Sequence, residues 1–524
     1  MTISRTVVHR VALVYLALPT LCFLLLWIRL AVGIITALSL VFAVFLSFHK
    51  KRRDGTEVEC LMQSCETIRL SPFVFFVFMV ALLLWCVLAG QGGVVPQSSD
   101  WHWRNALFRD LITHRWPIIY WEWDKALVFY CGHWLPAACA TKLIVALGMD
   151  MERAWHVGNI FLLVWTYSGV LIVFLQMLLL LNASCAWKMS CVLALLMFGD
   201  GLDALGSALM CVFHLIQTGS MGMFRLSWSW VDGFAYAHHG ALLHWVFHQT
   251  VVPWIVVLLM ADGFPVRGLI LLVVLVLLCG PLSALGLTIL AAFLLLKVLW
   301  ERRDLYGHVL LEVFSTENLI AALVISPVVA AYLLSNPQSG RLAFAWAGVS
   351  FCGFMARYVV FVTCEVGLYL VVAGCRFGRS AWWWWVLAIL LTCPFVLIGE
   401  GLDFSMRVSI PAVLVLLMLV LQTMFEFWRC HKWASVVIAC LLMAGTAVPV
   451  WNMWRFCREI PVVGLGKGAC DLIVTFDRDT MAVEGCPYDA TKNCCRVHPE
   501  DSFFYRWLAR RPEDPAEHSK TEDR

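Results

Sequence analysis

Within twelve residues, the segment DWHWRNALFRDL (Asp100–Leu111) gathers two carboxylates, two arginines, a histidine and an asparagine in an otherwise apolar chain. A carboxylate in such a place can act as general base toward an acceptor hydroxyl, and a guanidinium can pair with a phosphate. Asp100 and Asp110 are therefore candidate bases, and Arg104 and Arg109 candidate phosphate ligands. Helical spacing puts His102, Asn105 and Arg109 on one stripe and Trp103, Leu107 and Leu111 on another. That pattern predicts an amphipathic helix in the membrane interface, its polar face toward an outer cavity. An anchoring helix held by Asp–Arg pairs has the same composition.

Further along, Trp116-Pro117 breaks the helix, and Tyr120, Trp121 and Trp123 follow with Glu122 and Asp124. Aromatic faces beside carboxylates suit a sugar, and they equally suit an interfacial loop. A second polar region, FGDGLDALG followed by WSWVDGFAYAHHGALLHWVFHQ, supplies Asp200, Asp203, Asp232, His238, His239, His244 and His248. His244 and His248, four apart, could share a helical face, but no HExxH motif or diagnostic carboxylate spacing accompanies them, so acceptor or lipid-phosphate contact is preferred to metal binding. In GEGLDFSMRVSIP, Arg407 at a helix mouth needs an anion: Glu400 or Asp403 within the protein, or a lipid phosphate. Arg357 and Glu365 pose the same choice. Cys470, Cys486, Cys494 and Cys495 lie in polar sequence, with Cys457 nearer the last apolar run; disulfides are plausible there and their pairing is not readable. GLGKG (Gly464–Gly468) lacks the spacing and flanking elements of a phosphate loop.

The elements that must position these groups are membrane helices. With 61% hydrophobic and 14% charged residues over 524 positions, the chain cannot cover itself with a water-compatible surface. A net charge of +3 gives no footprint for nucleic acid. The apolar runs have helix-crossing length and lack barrel alternation, which predicts an all-α polytopic bundle. A hairpin of spans near 11–28 and up to 49 ends in His49-Lys50-Lys51-Arg52-Arg53, cytoplasmic by its positive charge. The next spans fall near 70–90, 154–181, 187–199, 246–262, 266–281, 283–299, 317–335, 357–374, 381–398, 408–427 and 433–451. The total is about thirteen crossings. The clusters at Arg302-Arg303, Arg376 with Arg379, and Arg429 with Lys432 fall on the inner side if residues 126–147 form an interfacial or re-entrant helix. Three parts result: a hairpin over 1–53, a core over 54–451 with outer loops at 91–153, 200–245 and 399–407, and a small extracytoplasmic tail over 452–524 with a disordered end. Chemistry then belongs to the outer face.

In their order, DWHWRNALFRDL, FGDGLDALG, HWVFHQTVVPW, DFSMRVSIPA and DSFFYRWL resemble bacterial polytopic proteins related to the GT-C glycosyltransferases, over roughly residues 70–510. The resemblance implies a GT-C-like bundle in a bacterial plasma membrane, with a polyprenyl-phosphate-linked sugar donor and inverting transfer to a glycan or other cell-envelope acceptor at the outer face. It places the catalytic acid residue in the first large outer loop, on Asp100 first and Asp110 second. Arg407 and Arg357, with Arg104 and Arg109, become donor-phosphate ligands. His102, Asn105, Asp232, His238, His239, His244, Glu400, Asp403, Trp121 and Trp123 become acceptor or sugar contacts. No cofactor is called for, a divalent metal being the alternative, and the partners are the lipid donor, the acceptor and membrane lipids. Two features depart from the pattern: a hairpin precedes the motif-bearing loop, and the outer tail is small. The main rival is a transporter or flippase of a lipid-linked or small anionic substrate, which would favour charge near the midplane and inverted repeats. An outer-face acyltransferase or ligase and an assembly subunit are further alternatives.

Overall fold

The computed structural model describes residues 2–49, 57–95, 97, 100–336, 343–346, 350–398, 402–463, 495 and 497–511; the side chains of 49, 102, 217, 456 and 459–463 fall outside that description. Apolar runs in lipid must satisfy their backbone groups internally, so they fold as helices. Helices α1 (Arg5–Leu26) and α2 (Leu30–His49) form a hairpin, and a short strand β1 (Thr2–Ser4) pairs antiparallel with β2 (Thr67–Arg69), Ile3 opposite Ile68. α3 (Pro72–Leu88) starts on a proline, whose fixed φ suits a first helical turn. α4 (Trp101–Thr113), a hairpin of β3 (Ile119–Tyr120) and β4 (Lys125–Ala126), and α5 (Leu135–Ala146) precede the long α6 (Met151–Leu180), which Asp150 caps by accepting from the Arg153 amide at 3.0 Å.

α5 runs antiparallel along the first half of α6. His133, just before it, bonds Thr166 at 3.0 Å, and Thr141 packs on Gly158. α5 therefore ends beside the start of α6. α7 (Ala186–Phe198) and α8 (Asp203–Thr218) follow, bent by 45° at their junction. The irregular stretch 219–238 then turns back into the protein, where Phe234 packs on Phe354 and Phe361. α9 (His239–Trp245) leads into α10 (Phe247–Ala261), every residue of which is buried. α11 (Leu269–Leu277), α12 (Pro281–Glu301), α13 (Tyr306–Val313), α14 (Thr316–Leu333) and α15 (Phe351–Phe377) come next, the last widened into a π-turn at Thr363–Gly367. α16 (Ala381–Thr392), the short α17 (Asp403–Val408), α18 (Ile410–Cys430), α19 (Lys432–Gly445) and α20 (Ala447–Val463) complete the helices.

Among the described residues, eight helices are long and apolar enough to cross a membrane, and a ninth if α7 and α8 form one bent span. Stretches expected as crossings near 70–90, 246–262, 266–281 and 381–398 are helical but shorter, at 10–17 residues. α10 and α18 fill the centre. Around the perimeter Val14, Ile35, Leu38, Phe73, Val371, Val437 and Met443 are exposed, an apolar belt of the kind lipid solvates. The chain is an all-α membrane bundle.

Its two ends differ. One carries Arg5–Asp262 (3.5 Å), Lys297–Glu59 (3.0 Å) and Arg376–Glu426 (2.7 Å), together with the basic turns at Arg302 and Arg429. The other carries Asp100, the β3–β4 hairpin, α17 and the segment 497–511, which returns to clamp the loops. There Val497 pairs with Ala126, His498 bonds Asp124 at 2.8 Å, and Arg29 donates to the Arg506 carbonyl at 2.6 Å.

Two expectations are corrected here. The helix over 101–113 does not turn its whole polar face to an open cavity. Arg104, Asn105, Arg109 and Asp110 are buried along with Leu107, Phe108 and Leu111; protein groups meet Asn105, Arg109 and Asp110, while Arg104 keeps N–H groups without a partner. Asp200 and Asp203, assigned to an outer segment over 200–245, instead sit in the interior against Glu365, near the middle of α15.

Candidate functional site

Asp100 precedes α4, and its carboxylate reaches forward one turn to take Arg104 Nη2 at 3.0 Å. Trp101 fixes this turn by donating its indole N–H to the His244 carbonyl at 3.0 Å and stacking on Phe247 at 5.1 Å. Asn105 donates to Gln97, which donates to the Gly90 carbonyl, so the first loop is tied to the end of α3.

Arg407 arrives from three hundred residues away on α17, whose backbone is held by the Ser283 hydroxyl donating to the Arg407 carbonyl at 2.9 Å. Its internal partner is Asp403, one turn earlier, at 2.6 Å. Burial pulls the Arg104 guanidinium down to about 10; Asp100 opposes that drop, the Arg407 charge adds to it, and Tyr130 opposes it. Asp100 and Tyr130 bear in turn on Arg407, and Tyr130 stacks on the His248 ring at 5.7 Å, as Trp134 does at 4.6 Å. The pairs Asp100–Arg104, Asp403–Arg407 and Tyr130–His248 thus lie at one end of the bundle, near enough for their charges to act on one another.

Donors exceed acceptors in this cluster. Arg104 Nε and Nη1 and Arg407 Nε are buried without a hydrogen-bond partner. A buried donor left unmade costs about 1–3 kcal/mol, more when charged, so such groups call for an explanation. The site is not sealed: the side chains of Asp100, Arg407 and Asp403 keep 21%, 14% and 37% exposure. A guanidinium with a free N–H edge is a donor that a phosphate oxyanion accepts.

The other candidates separate from this cluster. Asp110 is fully buried, taking Arg109 Nη2 at 2.9 Å and the Tyr120 hydroxyl at 2.9 Å, so Asp110 as base and Arg109 as phosphate ligand are both corrected to a structural pair. Arg357 donates to the Gly353 carbonyl of its own helix at 3.2 Å, and no ion pair joins it to the Asp100 cluster among the described residues. Asp232 is exposed, 3.5 Å from Arg225. His238 accepts from the Ala241 amide as the cap of α9 and faces Asn452 at 3.0 Å, while His239 bonds the Leu195 carbonyl at 3.1 Å. These imidazoles are held neutral: burial brings His238 to about 3, with His239 and His244 adding to it, His239 to about 4, and His244 to about 3, with Arg104 adding to it. His244 and His248 do not share one helix, since the chain breaks at Val246 between α9 and α10. Trp121 and Trp123 are exposed beside Asp124 and the returning His498. Glu400, the His102 side chain, Cys470, Cys486, Cys494 and Gly464–Gly468 lie outside the described residues.

Tyr130 is missing from the sequence-based set because a single tyrosine in an apolar run, VFYCG, carries no periodic signal. A second polar centre was also hidden. Asp200, Asp203 and Glu365 are the one group of three or more potential metal ligands found among the described residues, with one oxygen from each within 4.8 Å of the others. The GDGLD spacing and a lone glutamate in mid-span were its visible traces. No family model, curated protein or solved structure matches the chain.

Proposed function

We propose that the protein is a glycosyltransferase that moves a sugar from a polyprenyl-phosphate-linked donor to a cell-envelope acceptor at the outer face of a bacterial plasma membrane. The observation that carries this reading is that Arg104 and Arg407, each with a buried N–H donor to spare and close enough for the charge of one to act on the other, stand at the same end of the bundle as the partly exposed carboxylate of Asp100. The order of sequence motifs, which resembles the GT-C glycosyltransferases, supports it. In this scheme the bent α7–α8 pair and the four shorter apolar helices also cross, giving thirteen spans, and the Asp100 end faces outward because the basic turns occupy the other end.

The donor enters from the lipid, and its phosphate takes the free edges of Arg104 and Arg407. Competition for Arg104 loosens that residue's hold on Asp100, which turns a paired carboxylate into a usable base. Asp100 then accepts the proton of an acceptor hydroxyl as its oxygen attacks the anomeric carbon, and the bond from that carbon to the phosphate oxygen breaks. Polyprenyl phosphate leaves with the electron pair, still facing the two guanidiniums. A correctly placed base contributes about 10²- to 10⁴-fold. Purified protein incubated with radiolabelled polyprenyl phosphate sugars and membrane glycan is the test. Transfer lost in Asp100→Asn at unchanged folding supports the assignment, and transfer retained overturns it.

One observation favours the rival. Carboxylates at a broken helix in the bundle interior are a feature of transporters, where unwound segments bind coupling ions. Uptake of a lipid-linked or small anionic substrate by proteoliposomes, in the absence of any transfer, would support that reading.

A further inference from the structure

The Asp200, Asp203 and Glu365 cluster is separate from the arginine site and takes no part in the transfer chemistry. Asp200 lies in the break between α7 and α8, Asp203 opens α8, and Glu365 sits in the π-turn of α15. The segments are pinned together: the Leu202 amide donates to the Cys364 carbonyl at 3.0 Å, and a side chain on Gly201 would overlap Glu365. All three carboxylates are buried, at 5%, 1% and 3% exposure. The Gly201 amide donates to Asp200 Oδ1 at 2.9 Å and the Trp230 indole to Glu365 Oε1 at 2.7 Å. Asp200 Oδ2 and both oxygens of Asp203 receive no well-formed hydrogen bond, their near neighbours being the other carboxyls of the cluster and the Trp230 indole. No ion pair joins any of the three to a basic side chain among the described residues.

We propose that Asp200, Asp203 and Glu365 bind a hard divalent cation, Mg²⁺, Mn²⁺ or Ca²⁺. Uncompensated charge is too costly in an apolar interior, at several kcal/mol per ion, so the cluster must take up protons or a cation. The oxygen-only ligand set, the inward-facing Asp203 oxygens and the glycine-flanked helix break favour the cation. Carboxylates and freed backbone carbonyls are what hard cations select, and both π-turns and interrupted helices recur at ligand sites. The assignment is independent of the transferase reading, since a site at mid-helix serves a transporter or a structural role equally well.

The test uses the full chain purified in detergent, stripped with a chelator and titrated with Mn²⁺, following the paramagnetic signal of the free ion, with Mg²⁺ and Ca²⁺ as competitors. One saturable ion per chain is expected. Glu365→Gln and Asp203→Asn should each weaken it more than about tenfold, at least the loss that perturbing a supporting residue produces. Asp304→Asn, on an exposed turn, should leave it unchanged. Bound cation should also raise the thermal midpoint of the wild type and not that of Glu365→Gln. Absence of saturable binding of all three ions to the wild type overturns the proposal, as does wild-type affinity in Glu365→Gln. Stabilisation by acid with none by cations would assign the cluster to trapped protons and overturn it too. Should Asp203→Asn fail to fold, Glu365→Gln and the wild-type titration decide the matter.

Discussion

Replacing Asp100 and Asp110 separately by asparagine should divide function from stability. Asp110 is wholly buried and is held by two Arg109 nitrogens, at 2.9 and 3.3 Å, and by the Tyr120 hydroxyl. Asp110→Asn takes the carboxylate charge out of a pair whose partners are both buried. Breaking one partner of such a pair costs about 3–5 kcal/mol, which is about 10²- to 10⁴-fold in the ratio of folded to unfolded protein. Asp100 has a single bond to Arg104 and is 21% exposed, but the guanidinium is buried; asparagine keeps an acceptor oxygen there and loses the charge, so the change costs less than at Asp110, about 1–3 kcal/mol. Denaturant titration followed by tryptophan fluorescence, with 26 tryptophans as reporters, reads the first quantity, and sugar transfer per folded molecule reads the second. Asp110→Asn should unfold at much lower denaturant with its specific activity retained. Asp100→Asn should unfold at only slightly lower denaturant than wild type and lose about 10²- to 10⁴-fold in transfer per folded molecule. An Asp110→Asn protein of normal stability and no activity would reverse the two roles and refute the argument.

Arg104→Gln and Arg407→Gln should each weaken donor binding by about ten- to 150-fold, the equivalent of one charge-assisted hydrogen bond of about 1.5–3 kcal/mol, and Arg104→Lys should not restore it. The measurement is KM for the polyprenyl phosphate sugar. His133, His238, His239 and His244 are held neutral by burial, at about 3, 3, 4 and 3. Because these folded values lie below the unfolded one of 6.5, the unfolded chain takes up the extra protons as pH falls. Stability is therefore full above about 6.5 and declines toward 4, by up to about 1.4 kcal/mol per pH unit for each histidine. Thermal midpoints from pH 8 to pH 5 should fall, and His238→Gln should flatten the slope. Gly201→Ala places a methyl against the Glu365 carboxylate and 2.8 Å from its Cα, so it should cost about 1–3 kcal/mol and weaken the cation response of the thermal midpoint.

What the sequence disclosed depended on range. Apolar runs are local, so each expected crossing stretch has a helix. The Asp403–Arg407 pair was legible because one helical turn separates the two. Partners at long separation were not. Nothing in LVFYCG or DFSMRV shows that Tyr130 and Arg407 face Asp100, since tertiary packing alone brings them together. The amphipathic pattern of 101–113 was real but misassigned, because a polar stripe can be satisfied by Gln97, Asp110 and Tyr120 as well as by water. The path of 219–238 back into the protein, which delivers Trp230 to Glu365, has no periodicity to read.

The two polar centres are unbalanced in different ways. Near Asp100 the unmatched atoms are N–H donors on two guanidiniums, yet each guanidinium has its carboxylate, Arg104 with Asp100 and Arg407 with Asp403, so what is left over is hydrogen-bonding capacity and not charge. Near Glu365 the unmatched atoms are carboxylate oxygens, and no basic side chain pairs with them among the described residues. Elsewhere the interior matches the two signs, as Arg267 with Glu317 does at 2.9 Å. An oxyanion at the arginines, as proposed, would therefore compete with Asp100 and Asp403 for N–H groups, whereas a cation or protons at the carboxylates would meet no competitor. The donor proposal thus rests on displaced pairing and the cation proposal on uncompensated charge, and the Arg104→Gln and Glu365→Gln measurements test the two separately.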